Sequence, residues 1–459
     1  MKKNNQIHFE ISERKILLRV IDVFLVLLAF SALDLFFAFD YFEIRLENFY
    51  WTIVLALYLN IIGTIFEMYH LPTASNRFQI TRSVLLTVSV TTLLYLLTPI
   101  FTPILPSNRL QILLFYFTML FTLLAWRYFY IAYLASNRFI KRVIFVGNSD
   151  NVKKAVLEIT AIDKHYKVKG CILTNTTSTS DIDIFSIDDL ERIVKEKSIS
   201  EIVLVQDVNY VLDVKTYNKL FDLLEKGVII RKYEEVFEQT TNSLPLHLSS
   251  DQLQKFFPFS RSNQNKFYQF YSRTFDIVFS VLGIGVFVIL LPVVFVLNLI
   301  SNKGPLFYKQ ERVGKNGKLF EIIKFRTMIP NAEQNGAVYA TQKDKRITPF
   351  GKLLRNSRID EIPQFINVLK GQMALIGPRP ERPVFVKQIA EKNPIYQTRH
   401  VIKPGLTGWA QVNASYGENL DDSLIKLRYD LYYIKHRSLF LDVNIIIKTL
   451  STILFFRGQ

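Results

Sequence analysis

The chain has 459 residues, enough for two or three domains, and hydrophobic residues make up 49% of it with a mean hydropathy of +0.18. Because the apolar residues are concentrated in long segments, this composition argues for membrane helices and against a wholly soluble protein. The net charge of +16 favours anionic partners such as nucleic acid, anionic lipid or phosphorylated small molecules, and the single cysteine, Cys171, excludes an intrachain disulfide and a cysteine-based zinc site.

A basic N-terminus is followed by apolar segments near 16–39, 48–69, 83–104 and 110–134. Each segment is long enough to cross about 30 Å of hydrocarbon. Basic residues precede the first segment, lie between the second and third, and follow the fourth, so the positive-inside rule places both ends of this region in the cytoplasm. We therefore predict a four-helix transmembrane region over residues 1–140.

From 141 to 240 the pattern changes to strands that alternate with helices, which predicts a parallel, doubly wound sheet. A dinucleotide fingerprint should follow Gly147, but Asn148, Ser149 and Asp150 stand where the backbone would have to approach a pyrophosphate closely. No Tyr-x-x-x-Lys pair of a dehydrogenase follows. We interpret this domain as a Rossmann-like scaffold or regulatory module, followed by a linker over 241–265.

Residues 266–459 form the predicted third domain, which begins with a fifth long apolar segment at Phe275–Ile300. Basic residues flank this segment on both sides, so the positive-inside rule predicts that both of its ends lie in the cytoplasm. Pro292 removes one helical hydrogen bond and predicts a break where the helix can turn back. We expect a re-entrant helix and not a fifth crossing.

The next segment, PLFYKQERVGKNGKLFEIIKFRTM, predicts a β-hairpin. Its Asn316-Gly317 pair favours a tight primed turn between the two strands. The second strand leads to Lys324 and Arg326, two basic residues that could be either solvated strand charges or ligands of an anion.

The stretch Arg355–Pro380 contains adjacent carboxylates, Asp360 and Glu361, at the predicted start of a helix. Apolar residues recur there at three- and four-residue steps. Pro363 suits a first helical turn, and Gly371 suits the position just past the C-terminus. The N–H groups and partial positive charge of such a helix start attract anions, phosphates among them.

Arginines surround this carboxylate pair in the sequence. Arg355 and Arg358 precede it, and Arg379 follows inside a Gly-Pro-Arg-Pro turn that restricts where the guanidinium can point. Carboxylates together with arginines suggest chemistry on a phosphorylated substrate. Taken alone, the Asp-Glu pair is more typical of a capped surface helix with solvated ion pairs than of a catalytic site.

The succession FDIVFSVLGIGVFVILLPVVFVLNLI, KFRTM, Asp-Glu, Gly-Pro-Arg-Pro, KPGLTGWAQVN and YDLYYI closely resembles the bacterial sugar transferase family. These monotopic phosphoglycosyl transferases load a sugar phosphate onto polyprenol phosphate. The resemblance runs from about Arg273 to the C-terminus, and the preceding regions resemble the long form of the family. It implies a membrane protein of α plus α/β class: four transmembrane helices, a Rossmann-like domain and a mixed α/β catalytic domain anchored by a re-entrant helix.

The resemblance also implies a reaction. Asp360 would attack a UDP-sugar to form an aspartyl phospho-sugar with release of UMP, and undecaprenyl phosphate would then accept the hexose-1-phosphate. Lys324, Arg326, Arg355 and Arg379 would bind substrate phosphates. Mg²⁺ would contact Asp360 and Glu361, and Glu361 could otherwise act as a base.

The implied partners are a UDP-hexose, undecaprenyl phosphate and inner-membrane lipid, without nucleic acid, and a homodimer stays open. The implied location is the bacterial cytoplasmic membrane, multi-pass, with the catalytic domain facing the cytoplasm. The sugar could be glucose, galactose or an acetamido sugar, for exopolysaccharide, capsule or O-antigen. Two alternatives are a membrane-anchored nucleotide-sugar dehydratase or epimerase and a non-enzymatic membrane sensor that binds anionic lipid.

Overall fold

The computed structural model describes residues 11–37, 39–69, 71–134, 141–162, 166–173, 183–205, 214–245, 265–330, 332, 344–414 and 420–454. The chain divides into two compact units. One comprises residues 1–207 and 211–233, and the other comprises residues 208–210 and 234–459. The predicted regions 1–140 and 141–240 thus share most of one unit, and the boundary falls before the predicted linker.

Long helices dominate the N-terminal part of the first unit. They are Ile11–Phe37, Phe49–Ile65, Arg77–Leu97 and Leu110–Phe129, with short helical turns at Leu46–Asn48, Leu71–Ala74 and Tyr130–Leu134. Including the long helix of the second unit, five helices among the described residues are long and apolar enough to cross a membrane. Their length and composition fit the predicted membrane region.

The third helix occupies Arg77–Leu97, whereas the apolar pattern predicted 83–104. It begins early because the Asn76 side chain caps it, accepting a hydrogen bond of 3.2 Å from the Gln79 N–H. It ends early because Pro99 and Pro103 follow, and proline cannot continue a helix.

The Rossmann-like part of the unit contains a parallel sheet, as predicted. Its described strands are β1 (Lys141–Gly147), β2 (Tyr166–Leu173), β3 (Glu201–Val205) and β4 (Ile229–Lys232), in the order β2-β1-β3-β4. Helices Ser149–Ile162, Leu190–Glu196 and Val214–Glu225 and a 3-10 turn at Ile187–Asp189 connect them.

Gly147, the glycine that remains of the dinucleotide pattern, lies at the end of β1. A Cβ atom there would collide with the backbone carbonyl of Val205 on the adjacent strand β3. This glycine is therefore required by the close approach of two strands, and its presence needs no bound phosphate to explain it.

The second unit contains the remaining elements. Its helices are Lys266–Ser301, Pro349–Asn356, Phe365–Leu369, Pro383–Lys392, Trp409–Asn413, Leu420–His436 and Leu439–Leu454, with 3-10 helices at Lys315–Gly317, Ile359–Gln364 and Pro394–Val401. Strands β5 (Phe307–Val313) and β6 (Leu319–Phe325) are antiparallel, and β7 (Ala374–Ile376) and β8 (Gly405–Thr407) are parallel.

The predicted hairpin and its primed turn are confirmed. Asn316 and Gly317 both have positive φ, 56° and 76°, and the Lys318 N–H donates to the Lys315 carbonyl at 3.2 Å. Two successive residues with positive φ are the mark of the turn that an Asn-Gly pair favours.

The long helix Lys266–Ser301 continues on both sides of Pro292. The helix does not end at Pro292, and a bend at this residue stays a prediction. Proline removes a single hydrogen bond, and the flanking turn is held by packing of Phe287 and Val294 into an apolar cluster with Phe325.

A helix at Tyr233–Thr241 connects the sheet to the second unit, and residues 234–245 pack on that unit. The Trp409 indole N–H donates to the Asn242 carbonyl at 2.8 Å, and the Leu244 N–H donates to the Arg428 carbonyl at 3.0 Å. The predicted linker thus begins with an ordered, docked segment, and its residues 246–264 lie outside the described residues.

This docking predicts that the second unit needs residues 234–245 for full stability. A chain that begins at Asn265 should melt roughly 5 °C or more below one that begins at Glu234, because several hydrogen bonds lose their partners. Differential scanning calorimetry measures both. The longer chain with Trp409→Phe loses the indole hydrogen bond and part of the ring packing but keeps the other contacts, and it should melt between them. Equal melting temperatures for the two chains would contradict a stabilising role.

Candidate active site

Asp360 and Glu361 lie in the 3-10 helix Ile359–Gln364, which is followed directly by the α-helix Phe365–Leu369. The prediction that they begin a helix is confirmed, but the first turns are 3-10 and not α-helical. Pro363 gives the reason, because it has no N–H to donate to a carbonyl four residues earlier. Gly371 ends the segment with a φ of +78°, as predicted for its position.

Glu361 is buried, and basic side chains surround it. Its Oε1 accepts hydrogen bonds from Lys324 Nζ and from Arg379 Nη2, both at 2.8 Å, while Arg358 Nη1 lies 3.9 Å from Oε2. Burial alone would raise the pKa of this carboxyl, but Arg379, Lys324 and Arg358 together hold it well below its usual value. Glu361 is therefore an ionised anchor for the surrounding cations.

Asp360 is equally buried but differently bonded. Among the described residues its Oδ1 has no hydrogen-bond partner, although only 7% of the residue is exposed. Burial, and next the negative charge of Glu361, raise the pKa of Asp360 to about 6, against the opposing effects of Lys324, Arg355 and Arg358. Neighbouring carboxyls whose pKa values are pushed apart are typical of sites with divided chemical roles.

The predicted phosphate ligands fall into two groups. Lys324 and Arg379 meet at Glu361, and Arg355 is close by, its Nε donating to the Thr327 hydroxyl at 2.9 Å. Arg326 is engaged elsewhere: it donates to the carbonyls of Pro305, Met328 and Asn302 and to the Asn302 side chain. Its contacts favour support of the loop after the long helix, and its phosphate role stays a prediction.

A cavity of 1470 Å³ opens over these groups. Asp360, Glu361, Lys324, Arg355 and Arg379 line it, and it extends to polar and apolar residues of the later helices. Those more distant lining residues include Gln411, Lys426, Asp430, Thr449 and Leu450. The volume exceeds the roughly 300–1,000 Å³ of most small-molecule sites.

The profile of the bacterial sugar transferase family matches residues 267–456. The uncharacterized sugar transferase EpsL of Bacillus subtilis is 40% identical over 154 residues, which cover 34% of this chain and 72% of that protein. The chain belongs to the bacterial sugar transferase family. The domain that carries Asp360 and Glu361 is its sugar transferase domain.

Two longer relatives have named activities. The UDP-N-acetylgalactosamine-undecaprenyl-phosphate N-acetylgalactosaminephosphotransferase of Aeromonas hydrophila is 44% identical over 222 residues, 48% of this chain and 51% of that protein. The UDP-glucose:undecaprenyl-phosphate glucose-1-phosphate transferase of Klebsiella pneumoniae is 31% identical over 291 residues, 62% of this chain and 61% of that protein. The chain thus spans about half to three fifths of these relatives. The matches do not support a dehydratase or epimerase.

The donor set of the sugar transferase domain fits Mg²⁺ held partly by substrate. No group of three or more His, Cys, Asp or Glu side chains in the described part of the chain is arranged to hold a metal ion. However, Asp360 has a buried oxygen without a partner, next to a second carboxylate. Magnesium commonly binds one or two carboxylates together with substrate phosphates, and these residues fit that arrangement.

Sequence reasoning missed several side chains of the sugar transferase site. The Thr327 hydroxyl accepts a hydrogen bond from Arg355. Thr327 stands directly after Arg326 in KFRTM, so its place in that motif could have identified it as a site residue. Arg399 and Asp430 form a buried ion pair of 2.7 Å beside the Gly-Pro-Arg-Pro turn. Asp430 is the aspartate of the YDLYYI motif, which was an available signal, but its pairing with Arg399 joins positions far apart in the chain and could not be read from a local pattern.

Removing the Asp360 charge should stabilise the protein at neutral and alkaline pH. Folding raises this pKa from 3.8 to about 6, so the native state binds more protons than the unfolded state within that window. The contribution of Asp360 to stability therefore falls as pH rises from about 4 to about 6 and stays unfavourable above it. Asp360→Asn should melt above the wild type near pH 8 with EDTA present, and the difference should shrink below about pH 5.

Glu361→Gln is the matched control, since the pKa of Glu361 is lowered and its charge is stabilising. That stability is present above the ordinary glutamate pKa and is lost as pH falls through the folded value. This variant should melt below the wild type near pH 8, because Lys324 and Arg379 lose an ionised partner. A destabilised Asp360→Asn protein at that pH would contradict the assigned environments.

Proposed function

We propose that the protein transfers a hexose-1-phosphate from a UDP-sugar to undecaprenyl phosphate. The observation that carries the proposal is the division of roles between neighbouring buried carboxyls. Glu361 binds Lys324 and Arg379, while Asp360 keeps an oxygen without a partner among the described residues, in the same cavity. The named activities of the relatives support the same reaction class.

In the first step, a carboxylate oxygen of Asp360 attacks the phosphorus that bears the sugar. The new oxygen–phosphorus bond forms as the bond to the leaving phosphate breaks, and UMP departs with that electron pair. The product on the protein is an aspartyl phospho-sugar. Lys324, Arg355 and Arg379 supply positive charge around the phosphorus, which is where the transition state needs it.

In the second step, a phosphate oxygen of undecaprenyl phosphate attacks the same phosphorus. The carboxylate of Asp360 leaves, and the sugar is now joined to the lipid through a diphosphate. Because one product leaves before the second substrate reacts, the kinetics are ping-pong. A cavity of 1470 Å³ offers room for a nucleotide sugar and, afterwards, for a lipid phosphate.

Glu361 positions the cations in this scheme, since its Oε1 accepts from both Lys324 and Arg379. Asp360, with Glu361 beside it, would hold Mg²⁺. When bound, the ion neutralises charge on the substrate phosphates. Glu361 as a general base stays a prediction, but its low pKa and its engagement with cations favour the positioning role.

If Asp360 is the nucleophile, Asp360→Asn should lack both reaction signals that the wild type gives. With UDP-sugar and undecaprenyl phosphate, the wild type should release UMP, and with labelled UDP-sugar alone it should retain label on protein. Asp360→Asn should lose both signals, because an amide does not attack phosphorus. Glu361→Gln should be severely impaired through its displaced cations. Near-normal UMP release by Asp360→Asn would refute the assignment.

A panel of UDP-sugars in the same assay tests the donor. The relatives' names differ in the sugar, N-acetylgalactosamine in one and glucose in the other. UDP-glucose, UDP-galactose and their acetamido counterparts therefore form the panel. Release of UMP from none of them, with undecaprenyl phosphate present, would contradict the proposed reaction.

We further propose that the long helix Lys266–Ser301 enters the membrane and returns on the same side. Near its start, Arg273 donates to the carbonyls of Val368 and Leu369 at 2.8 and 2.7 Å. Near its end, the Asn302 side chain donates to the Arg326 carbonyl at 2.9 Å. One domain therefore contacts the helix at both ends, which does not fit a crossing of about 30 Å of hydrocarbon.

The outer face of the helix supports insertion. Phe267, Phe270, Ile289 and Ile300 are more than 70% exposed, and they are apolar. Such a surface is typical of contact with lipid. The domain then lies on one side of the membrane, and we place it in the cytoplasm, where basic flanks and nucleotide sugars both belong.

Single cysteines at Lys266 and Lys303, in a Cys171→Ser background, test this topology in intact cells. Both lysine side chains are exposed. Arg273 is left unchanged because its guanidinium donates hydrogen bonds to backbone carbonyls of the domain. A membrane-impermeant thiol reagent should label neither cysteine from outside and both after the cells are opened. Labelling of one of them from outside intact cells would show a crossing helix.

A further inference from the structure

Arg399 and Asp430 form an ion pair inside the sugar transferase domain, and both residues line its cavity. Arg399 lies on the 3-10 helix Pro394–Val401, and Asp430 lies on the helix Leu420–His436. Arg399 Nη2 donates to Asp430 Oδ2 at 2.7 Å, and the side chains are 5% and 2% exposed. A pair so buried is weak evidence for stability, because desolvation offsets most of its attraction.

The same nitrogen of Arg399 performs a second task. Nη2 also donates to the backbone carbonyl of Arg379 at 2.9 Å, and the guanidinium lies 4.9 Å from the centre of the Tyr396 ring. Arg379 in turn donates through its own Nη2 to Glu361 Oε1 at 2.8 Å. A continuous chain of polar contacts thus leads from Asp430 to the carboxylate pair.

The Gly-Pro-Arg-Pro turn is held partly by its own backbone and partly by Arg399. Its prolines, Pro378 and Pro380, have no N–H to donate. The first half of the turn is fixed, since the Gly377 N–H donates to the Thr407 carbonyl and the Gly405 N–H donates to the Pro378 carbonyl, both at 2.9 Å. In the second half of the turn, the carbonyl of Arg379 accepts a hydrogen bond from the Arg399 guanidinium.

We propose that Asp430 and Arg399 are positioning residues that set the orientation of the Arg379 peptide and thereby aim the Arg379 side chain at Glu361 and the substrate diphosphate. The role rests on the proposed function, because it concerns the same site. Asp430 orients the guanidinium of Arg399, and Arg399 fixes the carbonyl of Arg379. The fixed carbonyl sets the backbone conformation of Arg379 and so the direction in which its own side chain leaves the turn. Neither residue needs to touch the substrate.

A double-mutant cycle in the full-length protein tests this chain of effects. The variants are Asp430→Asn, Arg379→Ala and the two combined, and the measurement is the dissociation constant of UDP and of inorganic pyrophosphate by calorimetry. Asp430→Asn alone should weaken diphosphate binding by about fivefold to tenfold, as for directly coupled groups. In the Arg379→Ala background the same change should have less than about a twofold effect, because the aimed side chain is gone.

Arg399→Lys provides a second route to the same result, since lysine cannot hold a carboxylate and a carbonyl with one planar fork. Arg399→Lys should weaken diphosphate binding about as much as Asp430→Asn does. In the Arg379→Ala background, its effect on diphosphate binding should be as small as that of Asp430→Asn. Glu201→Gln is the matched control, because Glu201 forms a buried ion pair of 2.7 Å with Arg231 in the parallel sheet. It should lower the melting temperature without changing diphosphate affinity.

The outcomes separate this proposal from the proposed function. Equal losses from Asp430→Asn in both backgrounds would show that Asp430 acts independently of Arg379 and would overturn the positioning role. A lower melting temperature with unchanged affinity would reduce the pair to a structural role and overturn it as well. Wild-type protein that binds diphosphate but releases no UMP would contradict the transferase reaction alone. Wild-type protein that binds no diphosphate would contradict both.

Discussion

The ionised carboxylate of Glu361 is the contact on which the rest of the site depends. It draws together Lys324 from strand β6, Arg358 from the turn before the 3-10 helix and Arg379 from the Gly-Pro-Arg-Pro turn. Without it, positive charges from separate elements would repel one another. It also raises the pKa of Asp360, although burial is the larger cause. One carboxylate thus gathers the cations and favours the protonated form of its neighbour.

The long helix Lys266–Ser301 packs against the elements that carry this arrangement. Its buried face meets the elements that carry the carboxylates: Phe287 and Val294 share an apolar cluster with Ile359 and Ile362. Gly283 packs directly on Phe365, where a Cβ atom would collide with the aromatic ring. These contacts fix the position of the 3-10 turn that carries Asp360 relative to the long helix.

Local patterns predicted the parts of the fold that local chemistry decides: the alternation of strands and helices, the Asn316-Gly317 turn and the helix end at Gly371. They failed where a residue's role depends on partners far along the chain. Lys324 and Arg326 stand two residues apart, but β6 ends at Phe325, so Arg326 turns to the end of the long helix. The buried pair of Asp22 with Arg127 is equally invisible in the sequence, since its members lie on different helices.

The KPGLTGWAQVN segment shows how the transferase domain and the preceding chain are connected. Trp409 donates outward to the Asn242 carbonyl and is packed beneath the Lys448 ammonium group, while Ala410 and Gln411 line the cavity. Adjacent residues of one short helix therefore face the docked segment 234–245 and the active-site cavity. The segment that follows the Rossmann-like sheet therefore belongs to the same unit as the cavity and contacts the helix that lines it, although none of its described residues lines the cavity itself.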